Sequence, residues 1–243
     1  RRTKSAVSKM AGNGIIASEG PFWLRQRRMM QQGFTPQRMQ GYANVVVDCA
    51  SEMLGHWPAE GTLEVAREMS SLSLKFICKA MFQFNISGVQ AYDWADAAEV
   101  LSESVVEELA AMIPIPDWMP IPAKRRKRHA RMVLEKAMRT IIEERRRSGV
   151  DRGDMLSALI AAEDVEGDGT KMNDQQILDE CLTLLHAGYD STAAGMTWCW
   201  YLLAQHPEIQ QRAAAEAEQV LQNNQATYTD YDQLQFVRQV IQE

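Results

Sequence analysis

The sequence contains no long apolar run and no excess of basic charge, and these absences argue against a membrane span and a nucleic-acid partner. No apolar stretch approaches the roughly 20 residues that cross a bilayer, and no signal peptide is visible. The formal net charge is -6, which argues against a nucleic-acid partner because phosphates favour a basic protein surface. We therefore expect a cytoplasmic protein that binds no nucleic acid.

The four cysteines form no recognisable metal-binding or redox pattern. Cys49, Cys78, Cys181 and Cys199 include no C-x-x-C pair, and each falls within a helical pattern. Buried, reduced thiols are the simplest interpretation for a protein of this kind.

Short catalytic and ion-binding motifs are also absent or incomplete. No histidine follows a Glu at the spacing that a di-iron bundle requires, and no H-E-x-x-H, G-x-S-x-G or Gly-rich phosphate loop occurs. The segment from Asp164 to Gly169 resembles the start of an EF-hand loop, but Gln175 replaces the bidentate Glu. We interpret this segment as a solvated acidic turn and predict no metal ligand within the chain.

Strand signals are almost absent, whereas apolar residues recur at helical spacing along most of the chain. We predict a mainly α fold in a single domain that covers residues 1–243. Residues 1–19 look irregular, and the proline-rich apolar segment 113–122 is predicted to be a loop. Helices are predicted at about residues 21–32, 36–57, 63–82, 89–112, 123–147, 154–162, 173–205, 207–221 and 236–243.

The predicted helix at residues 173–205 is the longest and carries clear start and stop signals. Asn173 is a good N-cap, and Gln176 completes a capping box. Pro207 disfavours helical geometry in the preceding residue, so the helix should end near Gln205. Its length is roughly 50 Å at about 1.5 Å per residue, which is enough to cross a whole domain.

The middle of this helix contains a polar cluster. Asp190, Ser191 and Thr192 lie among apolar residues, and Gly188 lacks a side chain one turn before Thr192, which leaves room for a group against the helix. An acid beside an alcohol next to such a gap suggests proton handling beside a bound ligand. The alternative is a kinked core helix whose hydroxyls bond the carbonyl four residues back, and the residues alone favour neither.

Three other segments have both a functional and a structural interpretation. Trp23 and Arg27 are four residues apart, hence on one helix face, where they could bind carboxylates of an anion. The alternative for this pair is a solvated basic helix with one packed Trp. The basic tract 124–128 fits a solvated helix start better than a nucleic-acid or membrane site, given the acidic remainder of the chain. The loop 113–122 could be a mobile flap or a static surface loop.

Together these segments resemble the cytochrome P-450 family, the haem-thiolate monooxygenases. The segment 187–192 (AGYDST) is similar to the family's (Ala/Gly)-Gly-x-(Asp/Glu)-Thr-(Thr/Ser) signature, and residues 205–210 resemble the start of the next helix. Residues 20–28 resemble the helix whose Trp and Arg hold the haem propionates. Residues 236–243 resemble the approach to the family's Glu-x-x-Arg helix, with Glu243 as its acid. The resemblance covers the whole chain, as the middle half of a family member.

The resemblance implies roles for the residues of these motifs. Trp23 and Arg27 would anchor the propionates of haem b, whereas Ala187 and Gly188 would lie over its distal face. The segment 113–122 would be a substrate-access lid, with Trp118 and Met119 as its candidate substrate contacts.

The resemblance also implies a proton path on the long helix. Ser191 occupies the position of the family's proton-delivering alcohol, and Asp190 occupies that of the acid that feeds it. Ser191 stands where the family has threonine, and Thr192 follows it, so either hydroxyl could be the working one.

The function implied by the resemblance is that of a haem-dependent monooxygenase. It would hydroxylate an apolar organic substrate such as a fatty acid, terpenoid or xenobiotic, using dioxygen and electrons from NAD(P)H through a ferredoxin or flavoprotein reductase. One alternative keeps the fold but performs peroxide-driven oxidation, rearrangement or dehydration. A second is a non-enzymatic helical binding module that uses its 14 Met residues for contacts.

The resemblance places the axial cysteine outside this chain. That cysteine is expected beyond Glu243, so the metal ligand is absent from these residues. We therefore expect residues 1–243 alone to form no thiolate-ligated haem and to be inactive.

Overall fold

The computed structural model describes residues 2–86, 88–111, 115–167 and 169–243, and almost all of the regular secondary structure in these ranges is helical. The mainly α prediction is confirmed, since the extended pairing within these ranges is a single isolated bridge between Glu163 and Lys171. A short 3₁₀ helix covers Tyr228–Asp232. The α-helices are α1 (Arg2–Ala11), α2 (Gly20–Gln31), α3 (Pro36–His56), α4 (Val65–Phe82), α5 (Gly88–Ala110), α6 (Pro122–Ser148), α7 (Met155–Ala161), α8 (Asp174–Gln205), α9 (Pro207–Leu221) and α10 (Gln235–Gln242).

Local capping fixes the start of the longest helix, α8. The backbone N–H of Gln176 donates to Asn173 Oδ1 at 2.9 Å, and the N–H of Asn173 donates to Gln176 Oε1 at 2.9 Å. This reciprocal pair satisfies two donors that a helix start leaves unpaired. The helix ends at Gln205, immediately before His206 and Pro207, so both predicted ends are confirmed.

The first half of α8 is the centre of the hydrophobic core. Helix α8 as a whole packs most extensively against α4 and also contacts α1, α5, α6, α7 and α9. Leu178, Leu182 and Leu185 are fully or almost fully buried, and each such side chain contributes about 1.5–3 kcal/mol when removed from water. After Ala193 the helix is mostly exposed, and Trp198 is 62% exposed.

Helix α1 is a correction to the sequence prediction, which left residues 1–19 irregular. The chain is helical over Arg2–Ala11, because tertiary contacts stabilise a segment whose pattern is weak. Ala11 is fully buried and Met10 packs against the core. Lys9 is held by Glu108 at 3.0 Å, and its carbonyl accepts a hydrogen bond from Arg131.

The basic start of α6 is a second correction, because two of its cations are buried rather than solvated. Lys124 Nζ and Lys127 Nζ lie 2.8 and 2.6 Å from Glu108 Oε1, and Lys124 also pairs with Asp117 at 2.9 Å. Burial alone would raise the pKa of Glu108, but the lysine hydrogen bonds outweigh it and lower the pKa to about 2. The cluster ties α5 to α6 and to the loop that carries Trp118, which is 76% exposed. Residues 112–114 of this region lie outside the described residues.

The predicted burial of the cysteines is confirmed for three of the four. Cys49, Cys78 and Cys181 are buried free thiols, whereas Cys199 lies in the exposed half of α8 and is only half-buried. No helix within the described ranges is both long and apolar enough to span a bilayer.

Candidate functional site

The polar cluster of α8 lies where the helix emerges from the core. Ala187, Asp190 and Ser191 are exposed, whereas Leu185 and Tyr189 are buried. Because residues four apart share a helix face, Ala187 and Ser191 present one open surface. Ser191 is therefore the hydroxyl on the face of Ala187.

Each hydroxyl and carboxylate of the cluster has a different environment. Ser191 Oγ donates to the carbonyl of Ala187 at 2.6 Å, which is the local bond, to the carbonyl four residues back, that the structural interpretation of the cluster expects. Its oxygen keeps acceptor capacity for another donor. Within the described part of the chain, no hydrogen bond or ion pair engages the exposed carboxylate of Asp190. Thr192 is half-buried and lies about 100° around the helix from Ser191.

The prediction of an open gap beside Gly188 is wrong. A Cβ placed on Gly188 would overlap the Ile77 side chain of α4, so the missing side chain admits α4 rather than leaving space. Ser73 Oγ of α4 reaches the carbonyls of Gly188 and Tyr189 at 3.0 and 2.8 Å. Gly188 thus lets α4 and α8 approach closely, and the open surface lies on the side of Ala187 instead.

The arginines of α2 lie on two different sides of the helix and have different partners. The guanidinium of Arg27 lies 5.3 Å from the centre of the Trp23 ring, and no described carboxylate pairs with this exposed cation. Arg28 donates through Nε and Nη2 to the two carboxylate oxygens of Asp164, both at 2.8 Å. Arg25 donates to the Thr170 hydroxyl at 2.8 Å. Arg27 is therefore free for an external anion, while its neighbours fix the helix.

The ion pair between Asp164 and Arg28 also explains the conformation of the acidic turn that follows α7. Asp164 is 3% exposed, and its carboxylate is held by Arg28. A Cβ on Gly167 would overlap that carboxylate, so the turn wraps around the ion pair. Asp168 lies outside the described residues. The prediction of a solvated acidic turn is therefore wrong for Asp164, whose carboxylate docks the turn on α2, whereas Glu166 is exposed.

A buried carboxylic acid, not singled out from the sequence, joins α2 to α8. Glu180 is fully buried, and Gln26 Nε2 donates to its Oε1 at 2.7 Å while the N–H of Ile15 donates to its Oε2 at 3.0 Å. Burial raises the pKa of Glu180 to about 7, and these hydrogen bonds offset burial only in part. The available signal was a charged residue inside the apolar stretch from Ile177 to Leu185.

A second buried group that the sequence did not single out is His186, next to Ala187. It is 5% exposed, and neither ring nitrogen has a hydrogen-bond partner within the described part of the chain. Burial lowers its pKa to about 4. The imidazole is therefore neutral near pH 7 and behaves as part of the core.

The predicted site residues thus fall into two groups on adjacent helices. Trp23 contacts Arg27, and Ser191 contacts Ala187. No hydrogen bond, ion pair or ring contact joins the first pair to the second in the described ranges; the helices are linked through Gln26 and Glu180 instead. The same ranges contain no group of three or more His, Cys, Asp or Glu side chains that could hold a metal ion.

A family model for cytochrome P450 matches the chain over residues 1–243. The chain belongs to the cytochrome P450 family. This confirms the resemblance inferred from the motifs, and membership of the family implies a haem cofactor.

Three curated relatives illustrate the match. Cyclooctat-9-en-7-ol 5-monooxygenase from Streptomyces melanosporofaciens is 31% identical over 235 residues, which cover 97% of this chain and 51% of the relative. Pentalenene oxygenase from Streptomyces avermitilis is 27% identical, covering 96% of this chain and 51% of the relative. The bifunctional cytochrome P450/NADPH–P450 reductase ALT2 from Alternaria alternata is 25% identical, covering 98% of this chain and 22% of the relative. The chain spans about half the length of the first two.

The described residues fit the organic part of a haem rather than its metal. Ala187 and Ser191 offer a small-residue face that a flat ring could approach, with Ala194 continuing it one turn on, and all three are exposed. The free guanidinium of Arg27, beside the Trp23 indole, suits an anionic carboxylate. The axial cysteine expected beyond Glu243 remains a prediction.

Proposed function

We propose that the whole protein is a haem-dependent monooxygenase that inserts one oxygen atom of O₂ into an apolar organic substrate such as a fatty acid, terpenoid or xenobiotic. Family membership supports this proposal, as do relatives whose names refer to oxidation of cyclooctat-9-en-7-ol and pentalenene. We further propose that electrons come from NAD(P)H through a ferredoxin or flavoprotein reductase. One relative combines a P450 and a reductase in one chain, which supports the flavoprotein reductase as the electron donor.

In this proposal α2 holds the anionic edge of the haem. Arg27 donates charge-assisted hydrogen bonds to a propionate, and Trp23 Nε1–H donates to a carboxylate oxygen. The observation behind these roles is that Arg25 and Arg28 are engaged by the turn after α7, whereas Arg27 is exposed and stacked on Trp23. The stacking holds both donors in one place.

Helix α8 supplies the contact with the flat face of the haem, and it also carries the proton path. When bound, haem would supply the redox chemistry that activates dioxygen. Ala187 keeps the helix face small enough for dioxygen and substrate to approach. Asp190 exchanges protons with water because it is exposed, and Ser191 relays a proton while its hydroxyl is oriented by the Ala187 carbonyl. Thr192 is half-buried, unlike Asp190 and Ser191, so we assign it no part in the proton path.

The single observation that carries the proposal is the open face of Ala187 and Ser191 beside an unpaired acid in a chain of this family. The test is isotope labelling with the full-length protein, NAD(P)H and a reductase. Product that contains one atom from ¹⁸O₂ is expected. Product formed only with added peroxide, or formed without any oxidant, would favour the alternative reactions on the same fold.

A further inference from the structure

We infer that Glu180 is a positioning residue, which through Gln26 fixes α2, and with it Trp23 and Arg27, relative to the face of α8 that carries Ala187. This inference rests on the proposed haem site. It concerns two buried side chains for which neither the motifs nor the comparisons supply a role.

The placement follows from helix geometry. Glu180 precedes Ala187 by seven residues, which is within about 20° of two full turns, so both lie on one face about 10 Å apart along the axis. Gln26 is adjacent to Arg27 and almost one turn from Trp23 in α2. The 2.7 Å hydrogen bond between Gln26 and Glu180 therefore links the proposed anion-binding pair to the proposed haem face.

The chain segment before α2 is bound to the same part of α8. The N–H of Asn13 donates to Asp179 Oδ2 at 2.9 Å, and the N–H of Ile15 donates to Glu180 Oε2 at 3.0 Å. A Cβ on Gly14 would overlap the Thr183 hydroxyl, so this segment lies directly against the helix. Glu180 thus orients both α2 and the irregular segment that leads into α2.

No other described hydrogen bond replaces this link. The other described long-range side-chain hydrogen bonds of α2 and its C-cap run from Arg25 to Thr170 and the Lys171 carbonyl, from Arg28 to Asp164 and from Gln32 to the Glu163 carbonyl. These fix α2 to the turn after α7, so that among them the Gln26 bond is the one that reaches α8. Met29 and Met30 of α2 add apolar packing in the core that α8 shares, but such packing does not fix the orientation of α2 as a directed hydrogen bond does.

The chemistry of the pair predicts which substitutions preserve it. Each carboxylate oxygen of Glu180 accepts one hydrogen bond, and Gln26 Oε1 is buried without a partner. An amide at position 180 can accept from Ile15 through its oxygen and donate to the Gln26 oxygen after a flip of that amide. Leucine at position 180 has neither a hydrogen-bond donor nor an acceptor, although its volume is similar. Glu180→Gln should therefore preserve the link, and Glu180→Leu should break it.

The test measures haem transfer from the full-length holoprotein to apomyoglobin. Glu180→Leu is expected to accelerate haem loss by about tenfold, in line with the effect of removing a supporting side chain behind a ligand, whereas Glu180→Gln stays within about twofold. Gln225→Leu, which removes a long-range side-chain hydrogen bond to Ser51 of α3, is the matched control and should leave the rate unchanged. If Glu180→Leu does not fold, Gln26→Leu breaks the same link from α2.

A double-mutant cycle with Arg27→Leu distinguishes positioning from a general loss of stability. If Glu180 acts through Arg27, the two changes together accelerate haem loss by clearly less than the product of their separate effects. Multiplicative effects, or equal damage by Glu180→Gln and Glu180→Leu, would overturn the inference while leaving the proposed function intact. A wild-type full-length protein that binds no haem would overturn the proposed function, and the inference would fall with it.

Discussion

The buried imidazole of His186 gives a prediction that is independent of any cofactor. Its pKa is lowered to about 4 in the folded protein by burial, against about 6.5 in an unfolded chain. As the pH falls below 6.5, the imidazole becomes protonated in the unfolded state but stays neutral in the folded state. The free energy of unfolding therefore decreases. The loss due to His186 is about 2 kcal/mol between pH 7.5 and pH 5, and approaches about 3 kcal/mol below pH 4.

The assay compares urea unfolding of the wild type with that of His186→Leu from pH 7.5 to pH 5. Between pH 7.5 and pH 5 the free energy of unfolding of the variant should rise by about 2 kcal/mol relative to that of the wild type, because leucine has no proton to accept. His129→Asn, at an exposed position of α6, is the control and should follow the wild type. Wild-type and His186→Leu stabilities that change in parallel with pH would refute the reasoning.

Three further predictions concern residues of α8. Glu180→Gln should remove a loss of stability that the wild type shows as the pH rises from 4.5 through 7. That loss is about 3 kcal/mol, because the pKa of this acid is raised by burial to about 7 and its proton stabilises the fold at low pH; unfolding titrations that show the same slope in both proteins would contradict it. Gly188→Ala should destabilise the protein by about 1–3 kcal/mol through overlap with Ile77. The same change should cost less when it is made in an Ile77→Ala background, as measured by urea unfolding of all four proteins; an equal cost in both backgrounds would place the strain elsewhere. In the full-length protein Asp190→Asn should slow turnover at least tenfold and divert reducing equivalents to peroxide. The control Thr192→Val should change little in the fraction of reducing equivalents that ends in product. If that fraction is unchanged in Asp190→Asn, the result would count against the proton path.

Local sequence signals predicted the elements that depend on neighbouring residues. The capping box of Asn173 and Gln176 and the stop before Pro207 set the ends of α8, and Asp154 caps the start of α7. Pro36 opens α3 at its first position. In each case the partner lies within a few residues, so the sequence alone contains the interaction.

The features that the sequence did not predict depend on residues far apart in the chain. Gln26 and Glu180 are 154 positions apart, and the contact of Ile77 with Gly188 also depends on how two helices pack. The burial of Lys124 required knowledge of where Glu108 lies. Motifs therefore located the candidate site, whereas tertiary packing decided which side of α8 is open.

The central claim, that a haem lies against the face of Ala187, is tested most directly by placing a ligand there. In full-length Ala187→His the new imidazole is expected to bind the iron, so that carbon monoxide no longer produces the absorption band seen with the reduced wild type. Thr192→His, on a different side of α8, should keep that band. An Ala187→His protein with an unaltered carbon monoxide spectrum would contradict the account.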